Sequence, residues 1–88
     1  MPYWVRTILM TVPADEVREA RQGHLEHLRD LAAARKLKAA GEFRGGEGFL
    51  EIFEALDLHE AEAIARSSPL VSEGFGTWML REWCEVVF

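Results

Sequence analysis

Two segments rich in β-branched and aromatic residues bracket the chain, Tyr3–Val12 (YWVRTILMTV) and Thr77–Phe88 (TWMLREWCEVVF), and each reads as a strand. Between them the apolar period switches from two to that of a helix and back. The first strand stops at Pro13, and Asp15 is placed to cap a helix over Asp15–Arg35 with Glu16 in its first turn and Arg35 and Lys36 in its last, an order of charges that suits the helix dipole. Leu37–Phe43 reads as a short strand whose Gly41 permits close approach of another backbone. Arg44-Gly45-Gly46-Glu47-Gly48 is a turn, and Phe49–Leu56 returns as the second arm of a hairpin. Leu58, Ala61, Ile64 and Ala65 have helical spacing, so a second helix runs over Leu58–Ser67 until Ser67-Ser68-Pro69 ends it. An irregular piece through Gly74 and Gly76 leads to the last strand. The order β-α-β-β-α-β predicts an α+β, ferredoxin-like fold with an antiparallel sheet, formed by a single domain over residues 1–88.

In such a sheet both helices cover one face, and in a monomer the other face alternates to polar. Here both phases are apolar. The first strand carries Trp4, Ile8, Met10 and Val12 on one phase and Tyr3, Val5 and Leu9 on the other; the last carries Met79, Trp83 and Val87 opposite Trp78, Leu80, Val86 and Phe88. A second apolar face requires a cover. The pattern predicts a homodimer or higher oligomer whose sheets pack face to face around a pocket-bearing, barrel-like body.

With 88 residues the chain has one core and no room for a separate cofactor-binding domain, so no cofactor is expected. Fifteen acidic against ten basic residues, the latter scattered, argue against nucleic acid or an anionic membrane as partner. No apolar run approaches the roughly 20 residues of a membrane span, and Met1-Pro2-Tyr3-Trp4 has no signal-peptide pattern, so a cytoplasmic location is the expectation. Cys84 is the only cysteine. It excludes an intrachain disulfide and a thiolate metal cluster, and its apolar surroundings predict a small core residue rather than a nucleophile.

His24 breaks the pattern of the first helix. At about 100° per residue it shares a sector with Val17, Ala20, Leu28 and Leu31, with Arg21 and Arg35 in or beside it. A titratable ring with two nearby cations on the buried side of a helix points to an anion-facing pocket. The bland alternatives are a hydrogen-bonded core histidine, and arginines that snorkel to solvent or pair with carboxylates. Arg6 and Arg81 interrupt apolar strand phases and either face a ligand or pair with Glu51 or Glu54 across the sheet. His24 and His27 are three apart without a third ligand, so no metal site is expected, and His27 belongs at the solvent edge of its helix. His59, at the start of the second helix, is expected to be exposed. Gly45-Gly46-x-Gly48 joins two strands rather than a strand and a helix, which makes it a turn and not a phosphate loop.

Arg21-x-x-His24-Leu25 with Leu28 and Leu31, Leu37, Ala40-Gly41, Leu50-Glu51-Ile52-Phe53-Glu54-Ala55, Glu60-Ala61-Glu62-Ala63 and Ser68-Pro69-Leu70-Val71 together resemble the YciI-like (YCII-related) proteins over nearly the whole chain. The resemblance implies a dimeric α+β barrel of ferredoxin-like subunits. It also implies an active site that pairs a histidine of the first helix with an aspartate preceding the proline of an Asp-Pro-Phe or Asp-Pro-Tyr segment. His24 matches the histidine, but Ser68 stands at the aspartate's position. A serine can hydrogen-bond an imidazole without supplying the charge that stabilises its protonated form. Either another carboxylate, such as Glu51, Glu54 or Glu73, approaches His24, or the family's chemistry is lost or altered here.

Two function classes remain open on the sequence. One is a small enzyme with His24 as general acid or base, acting on a small anionic or carbonyl compound held near Arg21, Arg35 or Arg6. The other is a non-catalytic ligand-binding or assembly module that keeps the pocket without the dyad.

Overall fold

The computed structural model describes residues 1–88. β1 (Tyr3–Met10), α1 (Arg18–Ala33), β2 (Leu37–Phe43), β3 (Gly48–Glu54), α2 (Leu58–Arg66), a one-turn α3 (Pro69–Ser72) and β4 (Gly76–Trp83) follow in that order. The strands form one sheet in the order β2-β3-β1-β4, with antiparallel pairing throughout. This is the split βαβ arrangement expected from the order of periodic segments.

The ends of the elements show what sequence periodicity does not encode. β1 stops at Met10, because the chain then turns at Pro13 into a 3-10 turn over Ala14–Glu16. Asp15 lies in that turn and caps nothing; α1 begins at Arg18, with Val17 in the cap position and no side-chain cap. At its other end α1 closes with bonds from Arg35 N to Ala32 O (3.0 Å) and from Lys36 N to Leu31 O (2.9 Å), the paired bonds of a Schellman motif. Arg35 therefore sits beyond the helix, in the left-handed region at φ 61°. β4 ends at Trp83, which pairs with Tyr3, the first residue of β1. Beyond it the neighbouring strand has run out, so Cys84 lies past the sheet and is exposed rather than buried in the core.

Alternation sorts the strand residues onto two faces. Trp4, Arg6 and Ile8 of β1 and Phe49, Glu51 and Phe53 of β3 are buried beneath the helices. The apolar core there falls into two clusters. One gathers Trp4, Phe53, Ala55 and Ala61 with Leu37, Ile64 and Leu80; the other gathers Ala14, Ala20, Phe49 and Leu70 with Met10, Val17, Leu25 and Phe75. The opposite face carries Val5, Leu9, Leu50, Ile52 and Met79, of which Leu9 and Met79 are more than half exposed. The close backbone approach expected at Gly41 does not occur within the chain: a Cβ at that position would meet nothing within 4 Å. The β2–β3 connection is a turn with Gly45 and Gly46 at positive φ, conformations that glycine adopts without a Cβ penalty.

Candidate functional site

Four polar side chains lie between the two apolar clusters with no exposure to solvent: Arg6, His24, Glu51 and Ser68. Each comes from a different element, and local sequence explains each position. Arg6 follows the inward phase of Trp4 and Ile8, and Glu51 that of Phe49 and Phe53. The β1–β3 register sets the two directly opposite each other. His24 occupies the inward stripe of α1 with Ala20, Leu28 and Leu31. Ser68 caps α3, its hydroxyl accepting from Leu70 N at 3.2 Å, and Pro69 follows at the first helical position.

These side chains form a continuous chain of hydrogen bonds. Arg6 Nε donates to Glu51 Oε1 at 2.7 Å, and His24 Nε2 lies 2.9 Å from Glu51 Oε2. His24 Nδ1 lies 2.6 Å from Ser68 Oγ. A carboxylate paired with a guanidinium only accepts, so His24 carries a proton on Nε2. In the neutral ring, Nδ1 then accepts from the Ser68 hydroxyl. Arg6 Nη1 donates to the Ala65 carbonyl in the last turn of α2 at 2.9 Å, and Phe49 packs on the His24 ring with centroids 4.4 Å apart. Of the carboxylates within reach by sequence, Glu51 is the one that meets His24. Glu54 is opposite Tyr3, on the other phase of β3, and Glu73 is exposed after α3.

The remaining candidates lie elsewhere. Arg21 is half-buried and bonds Glu42 of β2 through two contacts, 3.1 and 2.7 Å. That hydrogen bond holds the Glu42 carboxyl below, and the Arg21 guanidinium above, its ordinary range. The pair lines an open groove together with Arg18, Arg44 and the Gly45-Gly46 turn. Arg35 is exposed at the C-terminal end of α1, away from His24. Arg6 is wholly buried and engaged with Glu51 and Ala65. His59 is exposed. His27 is not at the solvent edge: it is half-buried, its Nε2 is enclosed without a partner, and burial, followed by the charge of Arg6, lowers it to about 4.

His24 itself has no exposure to solvent, but its neighbours line a groove. Gly23 on α1 and Pro69 on α3 both line an open groove along those helices. The two are in tight register, since a Cβ at Gly23 would stand 2.8 Å from Pro69 Cγ. Pro69 thus closes the Ser68 side of the ring against a glycine. The sequence offers Glu51 among other carboxylates to both Arg6 and His24; the choice of Glu51 over Glu54 is made by the sheet register, which puts Glu51 opposite Arg6.

The YCII-related domain matches residues 3–84 of this chain. The uncharacterized protein YjpA of Bacillus subtilis (strain 168) is 38% identical over 61 residues, 69% of this chain and 72% of that protein. Among solved structures, 5-chloro-2-hydroxyhydroquinone dehydrochlorinase (TftG) from Burkholderia phenoliruptrix AC1100, in complex with 2,5-dihydroxybenzoquinone, superimposes with a TM-score of 0.79 at 17% identity, covering 98% of this chain and 96% of that one. At that identity the likeness is one of fold.

Proposed function

This chain belongs to the YCII-related domain family, and on that premise we propose that it is a small acid–base enzyme in which His24, oriented by Glu51, transfers a proton to or from a small anionic or carbonyl compound. The observation that carries the reading is the 2.9 Å contact between His24 Nε2 and Glu51 Oε2. It supplies the carboxylate that Ser68 does not. An imidazole anchored through one nitrogen presents the lone pair of the other as a base. Nδ1 faces Ser68, and Pro69 beside it lines the groove along α1 and α3 that is the nearest route for a substrate. TftG, bound to a dihydroxybenzoquinone, offers an example of this fold handling a carbonyl compound of that size.

The same proposal includes the oligomer and its setting. The open sheet face, with Leu9 at 55% and Met79 at 54% exposure, is covered by a second copy in a cytoplasmic homodimer. Arg21 serves a separate groove beside the β2–β3 turn, where an anion binds it by exchanging its Glu42 partner.

A second reading rests on a different observation. All four side chains of the hydrogen-bonded chain are inaccessible and both nitrogens of His24 are satisfied, which also suits a purely structural polar core in a binding module. One experiment separates the two. A panel of small carboxylic acids, keto acids and hydroxyquinones is screened for thermal shift and then for turnover with wild type and His24→Gln. The enzyme reading expects a converted compound whose turnover falls by about 10²-fold or more in the variant. Binding without conversion selects the non-catalytic module, and conversion that is equal in the variant removes His24 from the chemistry.

A further inference from the structure

Arg6 is the member of the buried chain that no part of the acid–base reading requires. Its guanidinium is nevertheless held at two points. Nε meets Glu51 Oε1 at 2.7 Å, and Nη1 meets the Ala65 carbonyl at 2.9 Å. The first contact fixes one oxygen of a carboxylate whose other oxygen receives the His24 ring. The second fixes the last turn of α2, which leads directly into Ser68, the group on the opposite nitrogen of that ring. One arginine therefore braces the partners on both sides of His24.

The charges make the bracing consequential. Arg6 and Glu51 face each other as a wholly buried guanidinium–carboxylate pair, in which each group compensates the other's charge. Without Arg6 the Glu51 carboxylate would stand alone in an apolar layer beside an imidazole. It would then draw a proton onto the ring or take one itself, because an isolated buried charge is far costlier than a shifted proton. Either change alters the proton on His24. The other charged or titratable groups that bear on the ring are His27 on α1 and Glu42 on β2; α3 contributes the Ser68 hydroxyl and α2 the Ala65 carbonyl.

We propose that Arg6 is a positioning residue: clamped between Glu51 and the Ala65 carbonyl, it keeps Glu51 an oriented acceptor and so fixes His24 as a neutral ring with its proton on Nε2 and its lone pair on Nδ1, facing Ser68. The inference takes its functional meaning from the acid–base reading of His24, but its content is the location of a proton.

Ring ¹⁵N signals of His24 in histidine-labelled protein test it directly. At neutral pH the wild type is expected to show one protonated nitrogen, Nε2, and one unprotonated, Nδ1, without averaging. In Arg6→Met that pattern is lost, giving a doubly protonated ring or two tautomers in exchange. Arg6→Met/Glu51→Gln, which leaves a neutral acceptor and no buried charge, restores it, and this double variant carries the test should the single one not fold. A wild-type ring protonated on Nδ1, a folded Arg6→Met with unchanged signals, or a folded double variant that does not recover the pattern overturns the proposal. These signals need no substrate. A fixed Nε2 proton in a protein without turnover would retire the enzyme reading alone, and turnover from a ring with averaged tautomers would retire this inference alone.

Discussion

Arg6 and Glu51 face each other directly in the β1–β3 register, and their side chains meet at 2.7 Å beneath the helices with no exposure on either partner. Charges so placed are weak stabilisers as a pair and strong destabilisers when separated, because desolvation offsets most of their attraction while an unpaired buried charge has no compensation.

Glu51→Ala or Arg6→Ala should each destabilise the fold by about 3–5 kcal/mol, a large share of a small domain's stability. Glu51→Ala combined with Arg6→Ala should cost less than the sum of the two single changes by more than about 1 kcal/mol. Urea denaturation of the single and double variants beside the wild type checks this. Additive costs would mean that the two charges are not coupled.

Gly48 tests the sheet itself. Its φ is 154°, and a Cβ there would collide with the carbonyl of Ile8 on the neighbouring strand. Backbone cannot yield as a flexible side chain does, so Gly48→Ala should cost about 3 kcal/mol or more. Gly41→Ala, with open space around it, is the control and should stay within about 1 kcal/mol. Equal melting temperatures for the two variants would contradict this account of the β2–β3 turn.

Arg35 occupies the left-handed position that glycine usually takes after a helix, at φ 61°. Its side chain is exposed and the conformation costs a non-glycine residue roughly 1 kcal/mol. Arg35→Gly should therefore raise stability by about 0.5–1 kcal/mol, seen as a higher midpoint in urea with an unchanged slope. A lower midpoint would show that the Arg35 side chain makes a contribution its exposure does not reveal.

His27 sets an acid limit. Burial first, then the charge of Arg6, lowers it from 6.5 to about 4, so between those values the unfolded chain binds a proton that the folded one refuses. Above pH 6.5 both forms are neutral and the residue has no pH effect; as pH falls toward 4 the folded state loses stability, and below 4 the loss levels off. With allowance for its partial exposure the loss is about 2 kcal/mol. His27→Gln should flatten that part of the stability profile measured by denaturation from neutral pH down to the acid limit. An unchanged slope would place the acid sensitivity on other groups.

Apolar periodicity is local, and what depends on local pattern could be read from the residues alone. The order β-α-β-β-α-β, the β2 span Leu37–Phe43 and the hairpin at Gly45-Gly46 follow from which residues alternate, which recur at helical spacing and which tolerate positive φ. Arg6 and His24 are legible as polar residues on apolar faces, since a strand or helix face is defined by its own sequence, and Glu51 is legible only as one of several carboxylates. Which of them touch was decided only by the tertiary structure. His24 meets Glu51 across 27 residues and Ser68 across 44, and those meetings depend on strand register, on the path of α1 over the sheet and on the turn that sets Pro69 against Gly23. The same long-range geometry released Cys84 from the core, since β4 ends where β1 has no further residue to pair with it. Sequence determined the inward faces; packing determined that four inward polar groups from separate elements become one hydrogen-bonded chain.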